Sequence, residues 1–335
     1  MRHGLMLTTP VKRKRRTLKS YPINQCSLYK IGSIKKLSQV LGIEKRCFDL
    51  ILKNPLEYRE FINKESSNPF SFKTTKARQV QEPFGDLRKI QERILYLLEP
   101  VVLPNYAHAA VKKRSYRSNA YAHVDSPRIA TYDLKNFYGS IQNYLVYSFF
   151  FYDLKCAPDV AGTLTKLTTF QNAMPTGSPL SPLLSLHAAK PMLDEFAILA
   201  QTQGLIFTCY IDDLTFSGKT IPRSLERHIS RIANRYGHQL SVHKTKIFGE
   251  NKAKHVTGVV IHKGKLRAPH SRFLTARNLE SAIAGNFSMH GYSKLKLHEK
   301  RAGLLGETAY IDASYKNWAA DAQTDLKTAR SENKT

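Results

Sequence analysis

Cysteine is scarce in this chain of 335 residues: Cys26, Cys47, Cys156 and Cys209 are all it has. No two of them form a CxxC pair, so neither a zinc site nor a disulfide framework is indicated. Idle thiols in a reducing cytoplasm are the default reading, and a cytoplasmic location follows from it. The twelve histidines show no HExxH spacing. No uninterrupted apolar run is long enough to span a bilayer, which excludes a transmembrane protein. The basic start, Lys12-Arg13-Lys14-Arg15-Arg16, has no apolar stretch behind it and so is not a secretory signal. Internal repeats and long low-complexity linkers are also missing. Negative charge is in short supply: 26 acidic residues face 52 basic ones, for a net charge of +26. Such an excess suits a polyanionic partner, most simply nucleic acid, with a membrane surface as the competing reading. Hydrophobic residues make up 42%, enough for real cores in one large domain or two to three small ones.

Against this shortage of acids, Tyr210-Ile211-Asp212-Asp213 stands out. Strand-like runs flank it, residues 205–209 before and 214–217 after, so the two carboxylates lie at the tip of a hairpin. Adjacent aspartates repel each other unless a cation sits between them, and a hard ion such as Mg²⁺ prefers oxygen ligands. An exposed Asp-Asp turn is the plain alternative.

The remaining chain divides by pattern. Residues 1–20 read as a basic disordered arm. Residues 33–41 read as a short amphipathic helix with Ile34, Leu37 and Leu41 on one face and Gly42 as its stop. Asp86 is expected to cap a helix that buries Leu87, Ile90, Ile94, Leu97 and Leu98 and ends at Pro100. Residues 128–134 alternate as a strand with Ile129, Thr131 and Asp133 on one face. Residues 140–152 read as helical. Residues 180–203 read as one long helix with a kink at Pro191. Residues 224–236 read as a basic amphipathic helix, 256–261 as a strand, and 270–318 as mainly helical. The last dozen residues read as a frayed tail. The fold class expected is α+β, with helices packed on one face of an antiparallel sheet. In such a layer Asp133 can face Asp212 and Asp213, and three converging carboxylates suit two Mg²⁺ ions about 3.5–4 Å apart. That is the arrangement of two-metal phosphoryl transfer.

These residues give the chain its resemblance to reverse transcriptases, and specifically to bacterial retron reverse transcriptases, over roughly residues 28–318. Asp133-Leu134-Lys135-Asn136-Phe137-Tyr138 resembles the first palm motif. The resemblance implies that Asp133 binds metal and that Tyr138 is a steric gate against a ribose 2′-OH; a core aromatic is the alternative for Tyr138. Met174-Pro175-Thr176-Gly177-Ser178-Pro179 resembles the second palm motif, with Thr176 where glutamine is usual. It implies that Pro175 and Gly177 approach the nucleotide, the alternative being a plain loop before a helix. Tyr210-Ile211-Asp212-Asp213 matches the catalytic box, with isoleucine at the variable position. Lys244 falls where the family carries a candidate acid for the pyrophosphate, unless it is simply a solvated lysine. Lys76 and Arg78 resemble the fingers motif that grips the triphosphate, or else form an RNA-facing basic strand. Asn119-Ala120-Tyr121-Ala122-His123 and Val256-Thr257-Gly258 resemble two retron-specific elements, and Arg301 falls in a segment like the thumb. By resemblance Asn119, His123, Val256, Thr257, Gly258 and Arg301 would contact RNA; Asn119 and His123 also read as structural caps.

The resemblance implies a right-hand polymerase of fingers, palm and thumb. Residues 21–127 would form the N-terminal helices and fingers, and 128–250 the palm with a fingers segment at about 140–180. Residues 251–320 would be the palm end and thumb, and 321–335 a flexible tail. It further implies RNA-directed DNA synthesis from dNTPs with two Mg²⁺ ions held by Asp133, Asp212 and Asp213. Its template would be a cognate structured noncoding RNA, primed from a guanosine 2′-OH to give a branched RNA–DNA hybrid (msDNA). An accessory effector in anti-phage defence and a host RNase H are the implied protein partners, and no membrane is involved. The competing readings are a group II intron or diversity-generating reverse transcriptase, an RNA-templated RNA polymerase, and a non-catalytic RNA-binding scaffold.

Overall fold

The computed structural model describes residues 20–71, 73–285 and 291–333; the basic arm lies outside them. The chain divides into two compact units. The first takes in the described residues up to Asn63, with Arg78–Ser115 and Ala130–Lys246; the second takes in Lys64–Ala77, Tyr116–Ile129 and the chain from Ile247 on.

The first unit begins with the helix Ile34–Leu41. The Ser33 hydroxyl accepts a hydrogen bond from the Lys36 N–H, and Gly42 closes the helix at φ +75°. A second helix, Lys45–Lys53, leads into the antiparallel pair Tyr58–Asn63 and Arg78–Pro83, in register from Tyr58 opposite Pro83 to Asn63 opposite Arg78. The helix Gly85–Leu98 buries the apolar stripe expected of it. Asp86 lies in its first turn rather than at the cap, which is Phe84. There its charge still favours the N-terminal end of the helix dipole.

The central sheet runs in the order Ile206–Tyr210, Asp213–Gly218, Arg128–Asp133, Lys246–Phe248. Its first two strands pair antiparallel, Phe207 opposite Phe216, Cys209 opposite Leu214 and Tyr210 opposite Asp213. Side chains alternate along a strand, so Phe207, Cys209, Leu214 and Phe216 share one face. On that face Phe196, from the helix Lys190–Thr202, meets Phe207 and Phe216 edge-on, and Tyr132 meets Phe216. The helix Leu225–Arg235 adds Leu225, Ile229 and Ala233 to the same core. Alternation places Asp133 and Asp213 on the opposite face.

Three sequence expectations change within this unit. Residues 180–203 form two helices, Ser181–Ala188 and Lys190–Thr202, separated at Ala189. Pro191 lies in the first turn of the second helix, where its missing N–H costs nothing. Residues 140–152 are likewise broken, into Asn143–Ser148 and a π-type turn, Phe149–Asp153. The pairing of Tyr58–Asn63 with Arg78–Pro83 and the helix Pro158–Thr168 were not anticipated.

The second unit holds a small hairpin, Ser66–Asn68 with Lys73–Thr75, the helix Tyr116–Tyr121, and a three-stranded antiparallel sheet. That sheet runs Lys265–Arg267, Val259–His262, Lys254–Val256. The expected strand over 256–261 is therefore two strands with a tight turn at Thr257 and Gly258, both at positive φ (+44° and +81°). Three helices follow, His270–Ile283, Lys294–Ile311 and Lys316–Glu332. The last overturns the expected frayed tail: Ala319, Ala322, Leu326 and Ala329 repeat at helical spacing and are buried.

Arg301 also departs from expectation. Its guanidinium is buried, donating to Glu280 Oε1 at 2.7 Å and to Asp325 Oδ2 at 2.6 Å. Trp318 Nε1 donates to the same Glu280 oxygen. A buried, doubly paired arginine ties three helices together and has no free fork for RNA. Arg301→Ala strands Glu280 partly buried and is expected to lower stability by about 2 kcal/mol, read as an earlier thermal transition. Lys296→Ala, whose ion pair with Glu299 is exposed, should change it little.

Candidate active site

Backbone pairing builds the site. The strand Ile206–Tyr210 turns back at Ile211-Asp212 into Asp213–Gly218. Ile211 adopts φ +60°, a region a β-branched side chain rarely enters. Its carbonyl accepts the Cys209 thiol at 3.2 Å. The Asp212 carbonyl accepts the Leu134 N–H at 3.0 Å, which locks the hairpin tip beside the end of Arg128–Asp133. On the other flank the Asp133 carbonyl accepts the Ser241 N–H at 2.8 Å, and the Lys135 N–H donates to the Gln239 carbonyl. The chain then curls through a short turn, Val242–Lys244, that returns Lys244 to the site.

Lys244 Nζ donates to both carboxylate oxygens of Asp133, at 2.9 and 2.8 Å. Asp133 is buried; Asp212 and Asp213 are half-buried. Burial pushes the Asp213 carboxyl up to about 7, and the charges of Asp212 and Asp133 add to the push. Burial also raises Asp212, with Asp133 adding and Lys244 and Arg78 opposing. All three carboxylates therefore lie within each other's field, and Arg78 reaches the same field from the strand Arg78–Pro83. Lys76 belongs to the other unit and lies in the exposed link after Lys73–Thr75.

Tyr138 is half-buried, and its phenol is raised to about 12 by burial and then by the charge of Asp212. It therefore lies within the field of the hairpin tip. Tyr210 is half-buried opposite Asp213.

Pro175 and Gly177 make a different contact from the one expected. The Gly177 N–H donates to the Gln81 carbonyl at 3.0 Å. A Cβ on Gly177 would stand 2.7 Å from that oxygen and 2.8 Å from Val80 Cγ1. Glycine is thus required here by a strand of this same chain, whatever else approaches the loop. The Pro175 carbonyl accepts the Ser181 hydroxyl at 2.6 Å. Thr176, where glutamine was expected, donates its hydroxyl to the Gln79 carbonyl and to Gln81 Oε1, both at 3.1 Å. Gln81 and the fully buried Gln91, which bridges Ser178, Tyr58 and the Leu167 carbonyl, were missed. Only their position in an unanticipated strand pairing and on a helix stripe of apolar residues could have pointed to them.

In the second unit, Asn119 and His123 are fully buried. Asn119 Nδ2 donates to Thr257 Oγ1 at 3.3 Å, and Thr257 Oγ1 donates to the Tyr116 carbonyl at 3.1 Å. The two short elements thus meet, but Asn119, His123 and Val256 offer no exposed side chain. Asn119 braces the turn, and Gly258 is its exposed residue.

Among the described residues no three carboxylate, histidine or cysteine side chains are drawn together as a ready metal cage. The donor chemistry nevertheless fits a hard divalent ion: oxygen ligands only, mutually repelling, with one of them already engaged by an ammonium. An ion that takes Asp133 must displace Lys244.

Residues 62–261 match the family described as reverse transcriptase (RNA-dependent DNA polymerase). The chain is 29% identical to the retron Se72 reverse transcriptase of Salmonella heidelberg (strain 579083-10), over 81% of this chain and 65% of that protein. It is 26% identical to the retron Ec86 reverse transcriptase of Escherichia coli, over 60% of this chain and 63% of that protein. With the retron Mx65 reverse transcriptase of Myxococcus xanthus the identity is 30%, over 55% and 48%. The matches thus span less than two thirds of each of these relatives.

Two outcomes follow from the site. Asp213 keeps its proton in the folded chain up to about pH 7, whereas an ordinary carboxyl releases it near 3.8. The folded state therefore loses stability as pH rises from about 4 to about 7. Asp213→Asn removes that loss, so in EDTA it is expected to melt a few degrees higher than the parent at pH 8 and about equally at pH 4. Equal melting at both pH values would disprove the raised carboxyl. Gly177→Ala forces the loop off Gln81 and is expected to cost about 1–3 kcal/mol by overpacking, seen as a lower melting temperature.

Proposed function

Because this chain belongs to the reverse transcriptase (RNA-dependent DNA polymerase) family, we propose that it is an RNA-directed DNA polymerase of the retron type. The observation that carries the reading is that Asp133, Asp212 and Asp213 lie within one another's field at the ends of neighbouring strands, with Tyr138 in the field of Asp212. Those three carboxylates would hold two Mg²⁺ ions. Bound there, the ions would acidify an attacking hydroxyl and neutralise the departing pyrophosphate. The chain's own residues then supply position and charge. Arg78, whose charge is felt at Asp212, would hold an incoming dNTP by its phosphates, for which a guanidinium fork is suited. Tyr138 limits room at the sugar and would disfavour a 2′-OH. Lys244, released from Asp133, would be a proton donor beside the leaving phosphate.

The retron likeness of three relatives supports a structured noncoding RNA as template, priming from a guanosine 2′-OH and a branched RNA–DNA product. It also underlies the proposed accessory effector in anti-phage defence and trimming by a host RNase H. The turn at Thr257-Gly258, braced by Asn119 and Tyr116, is the candidate RNA contact of the second unit. No helix among the described residues is long and apolar enough to cross a membrane.

The test is expression of the chain with its flanking DNA, followed by denaturing gels of total nucleic acid with and without RNase. A short discrete DNA that RNase shifts is expected, and it should vanish in Asp212→Ala/Asp213→Ala. Soluble protein that retains RNA without such DNA would refute self-primed synthesis. On a supplied primer–template, Tyr138→Ala is expected to raise ribonucleotide incorporation relative to dNTP by tenfold or more; unchanged sugar choice would remove Tyr138 from the gate.

A further inference from the structure

The helix Leu225–Arg235 turns Leu225, Ile229, Ile232 and Ala233 into the core of the first unit. Its outer face is arginine: Arg223 at the entry, then Arg227, Arg231 and Arg235, one every four residues. At a rise of 1.5 Å per residue, successive arginines are staggered by about 6 Å along the axis. All four are exposed. Arg235 pairs with Glu195, but Arg223, Arg227 and Arg231 have no ion-pair partner among the described residues. Arg227, Arg231 and Arg235 line a shallow depression of about 540 Å³ with Ser230 and Asn234, and no carboxylate lines it. Glu226, the one acid on the helix, acts inward, where its charge is felt by the buried Tyr132.

Like charges four residues apart destabilise a helix, so this face is costly in isolation and gains from a polyanion laid along it. Guanidinium forks bind phosphate oxygens bidentately, which lysine does not do. Ser230 and Asn234, set between the arginines, add neutral donors and acceptors of the kind that reach sugar hydroxyls. The helix lies over the sheet face that bears Tyr132 and Phe216, whereas Asp133 and Asp213 lie on the opposite face. The arginine stripe is therefore separate from the carboxylate site.

We propose that Arg223, Arg227 and Arg231, with Ser230 and Asn234, form a second nucleic-acid site that takes the sugar–phosphate backbone of a duplex RNA stem. The site asks only for a duplex and does not depend on which RNA is copied.

The test measures binding of a short fluorescein-labelled RNA hairpin to the full chain across a salt series, with primer extension measured in parallel. In the combined variant Arg223→Ala, Arg227→Ala, Arg231→Ala, the slope of log affinity against log salt is expected to shrink by about 2–3, near 0.9 per lost phosphate contact. Affinity at moderate salt should fall about tenfold or more, while primer extension on a short template stays within about twofold. Arg227→Glu alone should move binding the same way by a smaller amount. An unchanged slope and affinity would overturn the proposal, leaving a solvated face. Loss of primer extension in step with hairpin binding would also overturn it, by placing the RNA at the carboxylates. Loss of anionic-vesicle binding with RNA binding intact would overturn it in favour of a lipid surface. If the parent extends no primer yet the variant still loses the hairpin, the polymerase reading fails and this site stands.

Discussion

Three carboxylates within one another's field in a partly buried place repel one another, and the first unit fixes their main chains despite that. The strain falls on Asp213, whose carboxyl is pushed up to about 7 by burial and by its two neighbours. What resists it is backbone. The pairing of Tyr210 with Asp213, the Leu134 N–H on the Asp212 carbonyl and the Ser241 N–H on the Asp133 carbonyl fix all three main chains. Side-chain rotation can relieve the repulsion, but the strands cannot part without breaking a ladder. Behind them Phe196, Phe207, Phe216 and Tyr132 form a continuous aromatic core. Burying each such side chain stabilises by roughly 1.5–3 kcal/mol, enough to outweigh both the electrostatic cost and the strained φ of Ile211.

The same economy of backbone governs the loop before Ser181. Gly177 touches the Gln81 carbonyl and Thr176 holds Gln79 and Gln81, so this loop is fastened to the strand Arg78–Pro83. Arg78 begins that strand, and its charge is felt at Asp212. A change at Gly177 thus reaches the carboxylates through one strand, without contact between them. Thr176 is short where a longer amide is usual, and the Gln81 amide oxygen meets its hydroxyl.

The carboxylate site was legible in the sequence because it obeys a period of two: Asp133 follows from alternation in 128–134, and the Asp-Asp turn from two flanking apolar runs. The pair Tyr58–Asn63 and Arg78–Pro83 was not legible for the converse reason. Its first strand carries Tyr58, Phe61 and Ile62 split between the two faces and exposed almost throughout, so no one-sided apolar alternation marks it. The helix Lys316–Glu332 did carry a signal, but in alanines, whose burial is small and easily read as polar composition. Asn119 and Thr257 were named for a resemblance; their hydrogen bond across 138 residues is a tertiary fact that no local pattern carries.

Arginine shows how far residue type falls short of role. Arg301 is buried between Glu280 and Asp325 and serves the fold. Arg78 is exposed and lowers the cost of ionising Asp212. Arg227 and Arg231 are exposed with no carboxylate to neutralise them. A net charge of +26 counts all four alike. Only the surroundings separate them: a guanidinium flanked by two acids is spent, one facing a carboxylate cluster is poised for a ligand held there, and a row of unpaired ones repels itself until a polyanion lies across it. That self-repulsion is why the outer face of Leu225–Arg235 is better explained as a surface for phosphates than as a solvated helix.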